Sequence, residues 1–347
     1  MKIRAFITHK KAECFKDCQD RFCVNLDTKS IAVSDGMGST WQQKIWADLL
    51  VHTFVDNLNW VPNLQSAKEL SPIWRKKVLD YIQWLKDTNA KENIIFRNER
   101  NLSSGKSAGA TFCGVRFDKH NWSCSVLGDS CFLEYNKGNI NFYTSQNLEK
   151  FDSFPDYFDS DDTKDGSGTL KQFTGKLSKD IILFMVSDPF SDFLLEHQKL
   201  GDVENYIHQM LSINSHDDFE TLVAKWRDLG MHNDDSTLVI LEHDGNDKWN
   251  IYHQDNLNEL IHQEQNVTQI SSFDSKDDKK ELLTTQKSKI TKEEFCKEFL
   301  KLSENIFVFS DLRYLFDTKK NRRKKTEIEL MKIAEELYSQ YEIQRKK

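Results

Sequence analysis

The sequence predicts an α+β fold followed by a charged helical C-terminal extension. Three observations predict it. Short β-branched and aromatic runs cluster in blocks, separated by blocks with apolar residues at helical spacing, without a regular strand–helix–strand alternation. The chain has 347 residues, enough for one large or two smaller domains and for a core that needs neither disulfides nor structural metal. Its net charge of −7 is divided unevenly: residues 271–347 hold 19 Lys/Arg against 15 Asp/Glu, a net of +4, which leaves −11 on residues 1–270.

The elements follow in order. Ile3 to Thr8, Arg21 to Leu26 and Ser30 to Ser34 read as strands broken by polar turns. Trp46, Leu49, Leu50, Phe54 and Leu58 recur at helical spacing, as do Trp74, Val78, Tyr81, Ile82 and Leu85, with Pro62 and Pro72 between the two helices. Ala110 to Phe117, Trp122 to Leu127, Cys131 to Tyr135 and Ile140 to Thr144 are closely spaced strands, as in an antiparallel meander. Residues 152–168, with six Asp, are expected to be a solvated loop. Ile181 to Val186 is an apolar strand, 202–212 and 217–228 are helical, and Thr237 to Leu241 is the last strand. The domains are therefore expected at 1–245 for the main unit, 246–290 for a polar linker and 291–347 for the extension. In the extension, Thr291-Lys-Glu-Glu294 fits a capping box. Phe295, Phe299, Leu302 and Ile306 mark one helical face, and Leu330, Ile333, Ala334, Leu337 and Tyr341 a second.

Composition excludes several classes. No apolar run approaches the roughly 18 residues of a membrane span, and the N-terminus shows no secretory pattern, so a cytoplasmic protein is expected. The seven cysteines, an odd count, point to reduced thiols. Cys113, Cys124 and Cys131 sit in strand runs, where they are expected to pack as small hydrophobes. Cys14, Cys18 and Cys23 lack the paired spacing of a zinc site. The acidic main unit excludes a generally basic nucleic-acid binder. The basic run 319–325 is more simply a solvated helix end, and the apolar stripes of the extension suit packing on the main unit or on a protein partner.

Aspartates carry the chemistry. Asp20 precedes a strand, Asp35 follows one in Ser34-Asp35-Gly36-Met37-Gly38, Asp129 lies between two strands, Asp188 follows an apolar strand, and Asp234 precedes the last one. A carboxylate at the end of a buried strand needs a partner. Several such ends on one sheet edge would make an oxygen cage suited to hard cations such as Mg²⁺ or Mn²⁺. The glycines beside Asp35 let the backbone come close enough for a carbonyl to ligate. Taken singly, an Asp-Gly after a strand is more often a turn; the set and its order carry the reading.

That ordered set resembles a known family. Gln19-Asp20, Val33-Ser34-Asp35-Gly36-Met37-Gly38, Gly109-Ala110-Thr111, Leu127-Gly128-Asp129-Ser130, Met185-Val186-Ser187-Asp188 and Asp234-Asp235-Ser236-Thr237 are similar to the motifs of PPM-type (type 2C) metal-dependent Ser/Thr protein phosphatases, most of all their bacterial branch. His9 upstream of Cys18-Gln19-Asp20 resembles the opening of one bacterial subgroup. The resemblance spans roughly residues 1–243. It implies a four-layer α/β/β/α sandwich of two antiparallel sheets flanked by helices, with two Mn²⁺ or Mg²⁺ ions at one end. Asp35 would bridge the ions, the Gly36 carbonyl would help bind one, and Asp188 and Asp234 would complete the other. Asp20 would act at or just behind the metals, and Asp129 would support a third, weaker ion. Two such cations lower the pKa of a shared water, which attacks phosphorus, and offset charge on the phosphoryl oxygens. A phosphoprotein substrate and a cognate Ser/Thr kinase are the implied partners.

The sequence departs from the family in four places. Pro189 replaces a Gly after Ser187-Asp188, so the loop there is expected to differ. Met37 stands where many members have His, which leaves water or His9 to protonate the leaving oxygen. Cys131 stands where Arg commonly follows Gly-Asp-Ser, and Phe15 lies near the place of a phosphate-binding Arg. Lys11 or Lys16 is expected to supply that charge, without the fork of Arg. Two readings follow: an active phosphoserine/phosphothreonine phosphatase, or a catalytically weak or inactive phosphatase-like binding module. A hydrolase of small phosphoesters is a third.

Overall fold

The computed structural model describes residues 1–148, 155–164 and 166–265. The capping box, the two apolar faces and the basic run of the extension lie outside them.

Three strands open the chain: β1 (Lys2–Thr8), β2 (Arg21–Asn25) and β3 (Ser30–Ser34). Helices α1 (Gln43–Asp56), α2 (Leu64–Lys68), α3 (Ser71–Asp87) and α4 (Glu92–Ser103) follow. Next come β4 (Gly109–Ala110), β5 (Phe112–Phe117), β6 (Asn121–Leu127), β7 (Cys131–Asn136), β8 (Asn139–Tyr143), β9 (Phe158–Asp159), β10 (Lys171–Lys176) and β11 (Ile182–Val186). Helices α5 (Asp188–Leu200), α6 (Val203–Leu211) and α7 (His216–Asp228) lead to β12 (Ser236–Glu242) and β13 (Asn250–Gln254).

Six strands form one sheet in the order β13-β1-β12-β11-β7-β8, and five form the other in the order β10-β6-β5-β3-β2. The period-2 alternation of side chains sorts the strands into layers. Ile3 and Ala5 of β1, Leu183 and Met185 of β11, and Val239 and Leu241 of β12 meet Ile31, Val33, Val115 and Val126 between the sheets. Their alternates Phe6, Phe184, Val186, Leu238 and Ile240 pack on Phe190, Phe193, Leu194 and Trp226 of α5 and α7. On the far side, Trp46, Leu50 and Phe54 of α1 and Trp74, Val78 and Ile82 of α3 cover Ala32 and Phe112. The result is the expected four-layer sandwich. Central strands are buried on both faces, which is why their sequences read as unbroken apolar runs.

The thiols behave as expected: Cys113 and Cys124 lie in the inter-sheet core, Cys131 lies in the helix-side core, and the cysteines among the described residues are free. Elsewhere the structure differs from the sequence reading. The run Ala110 to Phe117 breaks at Thr111 into β4 and β5, because the Thr111 N–H and hydroxyl turn to Asp35. The Asp-rich segment 152–168 contains β9, which pairs with β4. Phe158 there is fully buried, and its carbonyl accepts from Trp46 Nε1 at 2.8 Å. The polar stretch that begins at 246 carries β13, which runs parallel to β1 on the open edge of an otherwise antiparallel sheet. Residues 257–265 are then helical, and one compact unit extends from Met1 to Thr268. Among the described residues, no helix is long and apolar enough to cross a membrane.

Candidate active site

Strand register brings the aspartates to one end of the sandwich. Arg21 pairs with Ser34, so Asp20 and Asp35 flank the same rung of the β2–β3 ladder. Val186 pairs with Cys131 on one side and Leu238 on the other, so Asp188 emerges beside the Gly128-Asp129-Ser130 turn and beside the start of β12, where Asp234 lies. Thr8 pairs with Ser236, which delivers His9 and Lys10 to the same end.

Small hydroxyls tie the strand ends together. Ser34 Oγ donates to Thr111 O at 2.6 Å, and the Thr111 and Ser130 hydroxyls are 2.8 Å apart. Ser187 Oγ accepts from Thr237 N at 2.9 Å, and Thr237 Oγ1 donates to Asp20 Oδ2 at 2.8 Å. Ser191 Oγ donates to Asp129 O at 2.7 Å. Gly36 has no room for a side chain: a Cβ would stand 2.9 Å from Gln43 Cγ and 3.1 Å from Gln19 O.

The carboxylates perturb one another. Burial, and then Asp235, pushes Asp20 up to about 7. Burial also pushes Asp129 up to about 7, with Asp192 and Asp20 adding to it. Asp35 is held well above the carboxylate range by burial and by Asp20, Asp188, Asp129 and Asp234. Asp188 is raised in the same way by burial, Asp129, Asp234 and Asp20. Asp35 therefore lies within electrostatic reach of the other four predicted aspartates, and Asp188 within reach of Asp20, Asp129 and Asp234. Among the described residues, no three His, Cys, Asp or Glu side chains stand close enough to hold a metal ion as they are placed.

The donor set nonetheless fits a hard divalent cation. It is all oxygen, and Asp20 Oδ1 and Asp129 Oδ1 are buried with no hydrogen-bond partner. Buried oxygens left unpaired are costly, and a cation in place of the protons would relieve both the orphaned atoms and the mutual repulsion.

The expected substrate-side residues are placed differently from the aspartates. Lys11 and Lys16 are exposed; the Lys11 backbone N–H donates to Asn233 Oδ1, and the Lys16 carbonyl accepts from Lys44. Neither makes an ion pair with the cluster among the described residues. His9 packs edge-on against Phe15 with ring centroids 4.7 Å apart, and its Nε2 faces Glu264 Oε1 at 3.7 Å. The cation at the cluster is Lys10, whose Nζ lies 3.1 Å from Asp234 Oδ1. Burial draws the Lys10 ammonium down, but Asp234, Asp235 and Glu13 outweigh it and hold the pKa above its ordinary value.

Two further residues were not singled out by the sequence reading. Asp235, 2% exposed, accepts from Lys10 N at 2.9 Å and from Gln19 N at 2.7 Å, so one carboxylate pins both ends of the loop between β1 and β2. Arg227 at the end of α7 donates to His9 O at 3.1 Å and Asp234 O at 2.7 Å. The doubled Asp234-Asp235 was the available signal, since a second Asp at a strand start also needs a partner. Nothing local marked Arg227.

The departures find physical places. Asp188 opens α5 directly, and Pro189 sits in its first turn, where a missing N–H costs nothing and the fixed φ suits the helix. No extended loop follows Ser187-Asp188. Cys131 is fully buried at the start of β7.

Residues 15–226, more than half of the chain, match the family model for protein phosphatase 2C. No curated protein sequence matches the chain. Among solved structures, the chain is similar to a bacterial serine phosphatase at 14% identity, covering 71% of this chain and 99% of that one with a TM-score of 0.45. Stp1, a serine/threonine phosphatase from Staphylococcus aureus, is 14% identical over 69% of this chain and 93% of its own, with a TM-score of 0.44. The catalytic domain of the serine/threonine protein phosphatase PstP, in complex with two manganese ions, is 11% identical over 70% of this chain and 98% of its own, with a TM-score of 0.39.

Proposed function

The chain belongs to the protein phosphatase 2C family, and from that premise we propose that it hydrolyses phosphoserine and phosphothreonine esters in proteins at a divalent-metal site built from its aspartates. Asp35, the Gly36 carbonyl, Asp188 and Asp234 would hold two Mn²⁺ or Mg²⁺ ions, with Asp20 beside them and Asp129 supporting a third. When bound, the ions acidify water and offset charge on the phosphoryl oxygens. The observation that carries the reading is the gathering of Asp20, Asp35, Asp129 and Asp188 at one end of the sandwich, each raised first by burial, with buried oxygens of Asp20 and Asp129 that have no hydrogen-bond partner.

The chain's own residues orient this site. Thr237 fixes one oxygen of Asp20 and leaves the other free. Asp235 holds the loop that carries Asp20 and Lys10. Arg227 holds the backbone on both sides of that contact. Lys10 brings a positive charge to the cluster, paired with Asp234 until a phosphoryl group competes for it; it takes the role first expected of Lys11 or Lys16. A kinase writing the same phosphoesters is the expected counterpart.

The alternative of a binding module without turnover was motivated by Pro189, Cys131 and the absent Arg. Pro189 in a first turn, Cys131 in the core and Lys10 at the cluster weaken each ground for it. Hydrolysis of a phosphothreonine peptide with Mn²⁺, lost in Asp35→Asn, is the expected result. No hydrolysis of any phosphopeptide by the wild type with either cation would leave the binding module as the better reading.

A further inference from the structure

Residues 250–265 lie beyond the stretch matched by the family model, yet they are built into the site's supporting loop. β13 adds to the open edge of β1, with Lys2 opposite Asn250 and Ala5 opposite Gln254. Where that ladder ends, Asp255 takes over. Its backbone N–H donates to Ala5 O at 3.0 Å. Its carboxylate accepts from Ile7 N at 2.9 Å and contacts His216 Nδ1 and His253 Nε2, both at 2.8 Å. The carboxylate is almost wholly buried, with 2% of the side chain exposed. Burial opposes a charge on His216, yet Asp255 and Glu220 raise it to about 9, so Asp255 is joined to α7 by a charge-assisted bond at neutral pH.

Asn256 then opens the helical stretch, its side chain accepting from Asn258 N at 3.1 Å and Glu259 N at 3.4 Å. Leu260 on that stretch forms a small core of its own with Ile7, Phe15 and Cys18, flanked by Phe22, Leu257 and Ile261. One turn further on, Glu264 accepts from Phe15 N at 3.0 Å and faces His9. The loop between β1 and β2 is thus gripped twice: at its ends by Asp235, and at its middle by Leu260 and Glu264.

We propose that residues 250–265 are a strap that positions Asp20 and Lys10 for the reaction by holding the His9–Gln19 loop, with Asp255, Leu260 and Glu264 as positioning residues. The consequence for catalysis rests on the phosphatase reading; the mechanical link does not. The strap's bonds from Asp255 and its packing at Leu260 reach β1, α7 and the loop. It acts through the packing of Phe15 and Cys18, the latter two residues before Asp20, and through the backbone amide of Phe15.

The test uses the full chain carrying Leu260→Ala or Glu264→Gln, followed by amide hydrogen exchange and by calorimetric titration with Mn²⁺ alone. Leu260→Ala is expected to speed exchange at Phe15, Cys18 and Gln19 by about tenfold or more through local opening, with a smaller rise in Glu264→Gln, while β11 and β12 keep wild-type rates. Mn²⁺ affinity is expected to fall in the same order. Wild-type exchange at 15–19 in both variants would overturn the strap. Faster exchange with unchanged Mn²⁺ affinity would overturn its positioning of Asp20. Neither readout requires turnover, so a wild type without phosphatase activity would refute the proposed function while leaving the strap to stand or fall on exchange.

Discussion

Asp20→Asn should stabilise the metal-free protein, although it replaces a fully buried residue that accepts a 2.8 Å hydrogen bond. Asp20 is raised from 3.8 to about 7, first by burial and then by Asp235. A raised folded-state pKa means that the native state binds the proton more tightly than the unfolded state. The contribution to stability is complete below the unfolded value near 4 and disappears as pH rises through about 7. Three units at ~1.4 kcal/mol each give about 4 kcal/mol as an upper bound. Because the site shares its protons among several carboxylates, about 2 kcal/mol is the expected gain at pH 8. The asparagine keeps an acceptor for Thr237 and cannot ionise. For a unit of this size, that gain raises the melting temperature by roughly 5 °C. Calorimetry from pH 4 to 8 in chelator should show the variant's advantage growing through this window and vanishing near pH 4. With saturating Mn²⁺ the order should reverse, because the wild type gains more from binding. A variant that melts at or below the wild type at pH 8 without metal, or a difference independent of pH, would show that the buried Asp20 carboxylate is not the source of the effect.

Other substitutions follow from the same geometry. Asp235→Ala orphans the Lys10 and Gln19 amides and should cost about 2–4 kcal/mol in chemical denaturation. Lys10→Ala should cost under about 1 kcal/mol of stability, since Asp234 is half exposed, but raise KM for a phosphopeptide several-fold in steady-state assays. Gly128→Ala meets a φ of +98° and a Cβ 2.6 Å from Asp156 O, so a melting curve should show a loss of about 2 kcal/mol or more.

The sandwich was legible because its central strands are buried on both faces, and runs such as Ile181 to Val186 survive in any reading. The gathering of the aspartates at one end was legible because each stands near a strand end within a short motif, and the motifs keep a fixed order. What was not legible depends on contacts far apart in the chain. β13 carries Tyr252, His253 and Gln254 on a partly exposed edge, with no alternation to mark it. Its pairing with β1 spans almost 250 residues of sequence. That Lys10 is the lysine paired with Asp234 was not legible, because one residue decides which side chain turns toward it, and the Lys10 backbone N–H is held by Asp235. Pro189 was read as a disruption of a loop because the start of α5 at Asp188 was not anticipated; at a helix start the same residue is favourable. Phe158 shows the opposite error: one buried aromatic outweighed the surrounding aspartates.

Metal-dependent phosphoester hydrolysis at the clustered aspartates is tested by the initial rate of phosphothreonine-peptide hydrolysis against Mn²⁺ concentration, for wild type and Asp188→Asn. The wild-type rate should rise from background to saturation with Mn²⁺ and collapse in chelator, and Asp188→Asn should lose about two orders of magnitude or more at the same Mn²⁺ concentration. Equal rates in the two proteins, or a wild-type rate indifferent to Mn²⁺ and Mg²⁺, would mean that these aspartates are not the hydrolytic site.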